Sequence, residues 1–312
     1  MKNRKRPSRS LARIPVLLSI TLSVVAAIGP ACSTVAKVGT SIAQEKGYID
    51  EKQAGSINRS AEAVEKTYQD ITPEQEYYIG RSVAATVLST YRPYDDQAAN
   101  AYVNLLGQTI ARASDRPDTY GGYHFLILDT EEINAFAAPG GFIMISRGMI
   151  RCCRSEDELA AVLAHEIGHV ANRDGLRAIK KSRMTSALTI LAVEGASNLG
   201  GEQLAKLTEE FEGSITDITS TLMNSGYSRS LEKQADGSAV AVLGRVGYDP
   251  RALGAMLGEM KKRLKPGGLD FAKTHPDPAD RIRDLEGSEA GPPPPPEPPS
   301  RRERFSKALE SA

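Results

Sequence analysis

The stretch DELAAVLAHEIGHVANRD, residues 157–174, sets two of the chain's four histidines four positions apart, with a glutamate directly after the first. At about 100° per residue, His165 and His169 fall on one face of a helix. Two imidazoles one turn apart converge on a single cation, and Glu166 beside them can reach a water on that cation. The same projection gathers Leu159, Val162, Leu163, Ile167 and Val170 into an apolar stripe, with Glu166 inside it and the two histidines on its flank. An ionised carboxylate in a core-facing position is costly unless something there stabilises it. The pattern therefore reads as an active-site helix.

Ser155-Glu156-Asp157-Glu158 offers a capping box, so this helix starts near Glu156 and runs to about Asn172, before Gly175. Upstream, Thr72 as N-cap, Pro73 at the first helical position and Gln75 closing a capping box open a helix that extends to about Tyr91. Asp95 or Asp96 caps a second helix reaching about Ala113. The period then changes to two. YHFLILD (123–129), EINAFAA (132–138) and GFIMIS (141–146) read as short strands, the last two separated by the Pro139-Gly140-Gly141 turn. They predict a small antiparallel sheet packed on the active-site helix. Helical segments follow at about 176–200, 201–224, 229–245 and 250–264, which makes the fold class α+β and mainly helical. The apolar run Met184–Val193 is too short to span a bilayer and reads as a packed helix.

Catalytic zinc usually takes a third protein ligand and leaves one position for water. The extended pattern H-E-x-x-H-x-x-G-x-x-H is excluded, because Asn172 stands at its glycine and Gly175 at its last histidine. SRSLEKQADGSAVAVL, residues 228–243, is the better source. On a helix Ala235, Ala239, Val240, Val242 and Leu243 form its apolar stripe, and Glu232 and Asp236 lie at its centre, four apart. Two carboxylates there require a cation or a dense hydrogen-bond set. Glu232 as ligand, with Asp236 orienting one histidine, satisfies both. Spacing alone also admits the reverse assignment, or a buried ion pair to Arg229 or Arg245.

The chain has 312 residues, 40 % hydrophobic and 25 % charged, with 39 basic and 39 acidic side chains and a formal net charge of +0. No long-range field recruits nucleic acid, and none is expected as a partner. Five basic residues in MKNRKRPSRS precede the 16-residue apolar run Ile14–Gly29, which is shorter than the roughly 20 residues a membrane span needs. Residues 1–31 read as a signal peptide. Gly29-Pro30-Ala31-Cys32 resembles a bacterial lipobox, which implies a lipid on Cys32; cleavage after Ala31 without lipid, or an uncleaved anchor, are the alternatives. Each places the folded part outside the cytoplasm. Residues 32–70 read as a tether or N-terminal helix, 71–286 as one catalytic domain, and 287–312, with GPPPPPEPPS, as a Pro-rich disordered tail. Cys152 and Cys153 are adjacent, a spacing that strains a disulfide, and are expected as buried thiols.

Taken in order, NAFAAPGGFIMISRG, HEIGH, SRSLEKQAD and THPDPADR resemble the HtpX-like and CAAX-prenyl-protease-like zinc metallopeptidases, a gluzincin family, and especially their periplasmic bacterial branch. The likeness runs from about Thr72 to Leu285. It implies a zincin-like domain and one Zn²⁺ per chain, held by His165, His169 and Glu232, with Glu166 as catalytic base and Asp236 in support. It also brings His275 and Arg281 to the active site, where His275 stabilises the developing oxyanion or transiently takes the metal's open position. Many relatives carry histidine where Asp174 stands; the ligand set survives that departure, with a different local contact. The implied activity is that of an endopeptidase for misfolded or misassembled envelope proteins, binding substrate as an added strand along Asn134–Ala138 or Phe142–Ser146. The alternative is a zinc-bearing chaperone or assembly factor for outer-membrane proteins with latent protease activity. Ser33 after Cys32 resembles the signal of lipoproteins sorted to the outer membrane.

Overall fold

The structure, a computed structural model, describes residues 71–179, 201–263, 274–286 and 297–312, with a few positions between 40 and 54. The chain divides into two compact units, 1–66 and 67–312. Positions 40, 41, 44, 51 and 54 of the first are helical. The expected signal segment, the Met184–Val193 run and prolines 292–296 lie outside the described residues.

In the second unit, α1 spans Pro73–Thr90, and its capping box is complete: Gln75 N donates to Thr72 Oγ1 at 3.2 Å and Thr72 N to Gln75 Oε1 at 2.9 Å. Asp96 caps α2, Gln97–Arg112, accepting from Ala99 N at 2.9 Å. The strands are β1, His124–Leu128, β2, Ala135–Ala138, and β3, Phe142–Ser146. After α3, Arg147–Cys152, comes the motif helix α4, Glu156–Ala171, then the short α5, Asp174–Arg177. The helix α6, Gly201–Ser220, runs into a wider turn at Thr221–Ser225; α7 is Arg229–Val246, α8 Ala252–Arg263, α9 Pro278–Leu285 and α10 Pro299–Leu309. No helix among the described residues is long and apolar enough to cross a membrane.

The sheet corrects one expectation. Its order is β1–β3–β2, with β2 antiparallel to β3 but β1 parallel to it. The hairpin closed by Pro139-Gly140-Gly141 slots β3 between its predecessors, so the more apolar strand, FIMIS, takes the buried centre and the alanine-rich strand the edge. Substrate pairing along Phe142–Ser146 is therefore excluded, and of the two expected pairing strands Ala135–Ala138 is the one at an edge of the sheet.

The helix α4 is buried on every face from Glu158 to Val170, a fuller enclosure than a single apolar stripe predicts, because α2, α7, α8 and β2 all pack against it. Contact with α7 is close: a Cβ on Gly168 would lie 3.1 Å from the Ala235 carbonyl oxygen. Its capping box is half formed. Ser155 Oγ accepts from Glu158 N at 3.2 Å, but the Glu158 carboxylate accepts from Arg154 N at 2.7 Å, one residue beyond the expected donor, because it also pairs with the Arg154 guanidinium at 2.8 Å. Cys152 and Cys153 are buried free thiols as expected, and burial pushes the Cys152 thiol up to about 11.

A second correction concerns the tail. Residues 297–312 are not part of a disordered segment; α10 packs Phe305 and Leu309 against the core. The cause is Glu156, fully buried at the first turn of α4, which accepts from Tyr102 and Tyr248 hydroxyls at 2.6 Å each and pairs with Arg304. Arg301 joins Asp157 at 2.8 Å and covers the Tyr248 ring at 4.2 Å. A buried carboxylate needs such cationic partners, and the RRER segment supplies them.

Tight contact of α1 with the β2–β3 turn gives a stability test. A Cβ on Gly80 would meet the Pro139 carbonyl oxygen at 1.7 Å, whereas one on exposed Gly237 in α7 meets nothing within 4 Å. Urea unfolding should show Gly80→Ala losing at least about 3 kcal/mol and Gly237→Ala gaining about 0.5–1 kcal/mol.

Candidate metal centre

The ring nitrogens of His165 and His169, one turn apart on α4, come within 3.1 Å of each other at Nε2. The crossing helix α7 delivers Glu232 to the same point, its carboxylate oxygens 3.5 Å from His165 Nε2 and 3.6 Å from His169 Nε2. Small residues at the crossing, Gly168 and Ala235, let the two backbones approach closely enough for this. His275, preceding α9, completes a buried set of four groups that can hold a metal ion, their ligating atoms all within 4.8 Å of one another. The His275 Nδ1 is 2.9 Å from both Glu232 oxygens.

Each motif histidine is oriented from behind by a carboxylate. His165 Nδ1 is 2.8 Å from Asp236 Oδ1, and His169 Nδ1 is 2.8 Å from Asp174 Oδ2. A carboxylate only accepts, so both Nδ1 atoms carry protons and both Nε2 atoms face inward. Two inward lone pairs at 3.1 Å, with carboxylate oxygens beside them, repel one another unless a cation or a proton lies between. That donor set, two imidazoles and one carboxylate, fits zinc.

Charge around the centre follows. Burial and the Arg281 guanidinium push the His165 pKa down, but the Asp236 and Glu232 carboxylates more than offset them, raising it to about 9. Burial favours the neutral form of Glu232, yet His275, His165 and His169 hold its carboxyl well below the usual range. Burial keeps His275 below its ordinary value in spite of Glu232. The Glu166 side chain is buried, and its Oε1 has no hydrogen-bond partner among the described residues. It faces a narrow cavity with room for about one water molecule, lined also by Ala135, Phe136, Ala137 and His275.

The structure brings together all the expected site residues: His165, Glu166, His169, Glu232, Asp236, His275 and Arg281. Of the two α7 carboxylates, Glu232 faces both Nε2 atoms and Asp236 backs His165. Neither pairs with Arg229 or Arg245, which instead join Asp284 and Asp115. Arg281 reaches Asp236 at 2.6 and 3.0 Å and so fixes the carboxylate that orients His165; it also lies 3.2 Å from His165 Nδ1 and 3.9 Å from a Glu232 oxygen, and does not line the cavity. Two contributors were not foreseen. In the sequence Asp174 stands out only as a departure from the family pattern. Tyr227, whose ring lies 4.6 Å from that of His169, is an unremarked aromatic just ahead of the SRS segment. Burial, with Asp174 and Glu166 beside it, holds the Tyr227 phenol well above its ordinary pKa and therefore neutral.

A mainly helical domain with a small sheet against a buried His–His–Glu centre is zincin-like in architecture. The chain belongs to peptidase family M48, whose sequence model matches residues 97–289. It is similar to the beta-barrel assembly-enhancing protease of Yersinia pestis, 30 % identical over 217 residues, or 67 % of this chain and 42 % of that protein. The beta-barrel assembly-enhancing protease of Escherichia coli K12 is 29 % identical over 196 residues, 61 % of this chain and 39 % of that one. A mitochondrial metalloendopeptidase of Schizosaccharomyces pombe is 29 % identical over 211 residues, 64 % and 54 % of the two chains. The chain thus spans about half the length of these relatives or less.

A metal must displace the proton that His165 holds up to about pH 9. Zinc affinity, measured with a chelating indicator, should therefore rise by about tenfold per pH unit between pH 7 and 9, and Glu232→Ala should lose the ion altogether.

Proposed function

We propose that the chain is a zinc-dependent endopeptidase of the bacterial cell envelope that hydrolyses peptide bonds of misfolded or misassembled envelope proteins. Glu166 carries the reading: a buried carboxylate next to His165 in the chain, its Oε1 unpaired among the described residues and its residue lining a cavity the size of one water. A structural glutamate in such a place would be paired.

Held by His165, His169 and Glu232, zinc supplies Lewis-acid polarisation of the scissile carbonyl and a lowered pKa for water. Glu166 takes the proton of the attacking water and returns it to the leaving amine. Asp236, gripped by Arg281, keeps the His165 ring in place, and Asp174 does the same for His169. His275, neutral and 5.4 Å ring to ring from His165, is placed to donate to the developing oxyanion once it turns from Glu232.

Substrate enters as a strand beside Ala135–Ala138, the edge nearest Glu166. Backbone pairing reads little sequence, which suits unfolded clients. In this structure that edge is buried, with Leu222, Tyr227, Thr274 and His275 around the cavity, so pairing requires this cover to move. The cover favours a second reading, an assembly factor for outer-membrane proteins with latent protease activity. The names of the Yersinia and Escherichia relatives support both the envelope setting and a link to barrel assembly. The basic-then-apolar N-terminus and Cys32 support a lipid anchor on the periplasmic side of the outer membrane.

Cleavage of unfolded casein by residues 33–312 tests the proposal, with zinc content measured in parallel. The parent should carry about one zinc and cut, while Glu166→Gln keeps the zinc and loses roughly 10²–10⁴-fold in rate. Equal cleavage by both would contradict it; zinc in both and cleavage by neither would favour the assembly-factor reading.

A further inference from the structure

Away from the cavity, one buried carboxylate gathers more charge than its own helix needs. Glu76, in the first turn of α1, is fully buried. Its Oε1 accepts from Arg116 Nη1 at 2.7 Å and from Gly140 N at 3.2 Å; its Oε2 accepts from Arg116 Nη2 at 2.9 Å and from Arg173 Nε at 3.1 Å. The two arginines also reach backbone carbonyls, Arg116 that of Val170 at 3.3 Å and Arg173 that of Ile71 at 2.8 Å. Glu76 thereby joins α1, the turn between β2 and β3, and the end of the motif helix α4.

Arg173 is the link to the metal centre. At φ 57° and ψ 33° it is the only non-glycine residue with positive φ among the described residues, and it stands between α4 and α5 with no side-chain cap. A left-handed conformation is disfavoured for arginine, which lacks the short polar side chain that eases it in asparagine or aspartate. It nevertheless has a structural result. Had α4 continued, position 173 would lie about 40° from His169 around the helix and position 174 about 140° away. The left-handed residue breaks that sequence and returns Asp174 to His169, where Oδ2 meets Nδ1 at 2.8 Å while Oδ1 meets Arg177 at 2.8 Å.

We propose that Glu76 is a positioning residue for the metal centre, its ion pair with Arg173 holding the left-handed turn that sets Asp174 against His169. The idea rests on the metal site described above and not on the peptidase reading. Glu76 touches neither substrate nor metal; it acts through Arg173, then Asp174, then the imidazole. Carboxylates that orient metal-bound histidines change metal affinity by about 10–100-fold when lost, and a residue that places such a carboxylate should show part of that effect.

The test uses the full chain, with zinc affinity from indicator competition and the visible spectrum of the Co²⁺-substituted protein as readouts, neither needing a substrate. Glu76→Gln should weaken zinc by about tenfold and change the Co²⁺ bands. Arg173→Gly, in which glycine adopts the left-handed turn without the ion pair, should bind zinc within about threefold of the parent. In that background Glu76→Gln should cost less than about threefold, a rescue that general loss of stability would not produce. The proposal is overturned if Glu76→Gln lowers only the unfolding temperature, leaving affinity and spectrum as in the parent, or if it costs as much in the Arg173→Gly chain as alone. Should Glu76→Gln fail to fold, Arg173→Ala against Arg173→Gly decides: alanine weakening zinc by about tenfold more than glycine supports the turn, and equal affinities overturn it. A parent that binds zinc but cleaves nothing contradicts the peptidase reading and leaves this one standing; a parent that binds no zinc overturns this one with the site.

Discussion

Two imidazole nitrogens held 3.1 Å apart, with a carboxylate at their side, require a positive charge between them, and the rest of the domain is arranged to keep them there. Nothing in a helix alone does so, because exposed histidines at i and i+4 would turn away into water. Enclosure of α4 on all sides fixes their rotamers, and the Asp236 and Asp174 carboxylates fix which nitrogen faces inward. Burial also removes competing water, so each of these contacts acts in a medium of low dielectric.

Helix packing and site chemistry are one constraint seen twice. The third candidate ligand comes from α7, and it reaches the histidines because glycine and alanine meet where the helices cross. A larger side chain at position 168 would separate the helices, and Glu232 with them. Similarly, the carboxylate of Glu156 at the start of α4 is neutralised by a helix from the far end of the chain, so the same element is held at its first turn by α10 and at its last by Arg116 and Arg173. A helix so constrained at both ends presents its central turn in one orientation.

Much of this was legible in the sequence. H-E-x-x-H and E-x-x-x-D spacings are local, and helical periodicity converts them directly into faces; the caps at Thr72, Asp96 and Ser155 are equally local. What was not legible depends on contacts between distant segments. The parallel pairing of β1 with β3 follows from which strand takes the centre of the sheet, a matter of global packing. The order of 297–312 follows from a buried glutamate 148 residues before Arg304, which compositional bias toward proline concealed. The role of Asp174 is hidden in the sequence because it depends on one left-handed residue, for which arginine gives no signal.

Where a metal binds is the central question, and the two histidines with Glu232 are the predicted place. Anomalous diffraction at the zinc edge from crystals of the zinc-loaded chain should show one strong peak about 2.0–2.2 Å from His165 Nε2, His169 Nε2 and a Glu232 oxygen, with Asp174 and Asp236 still behind the two rings. A peak elsewhere, or one bound by His275 with Glu232 turned away, would contradict it.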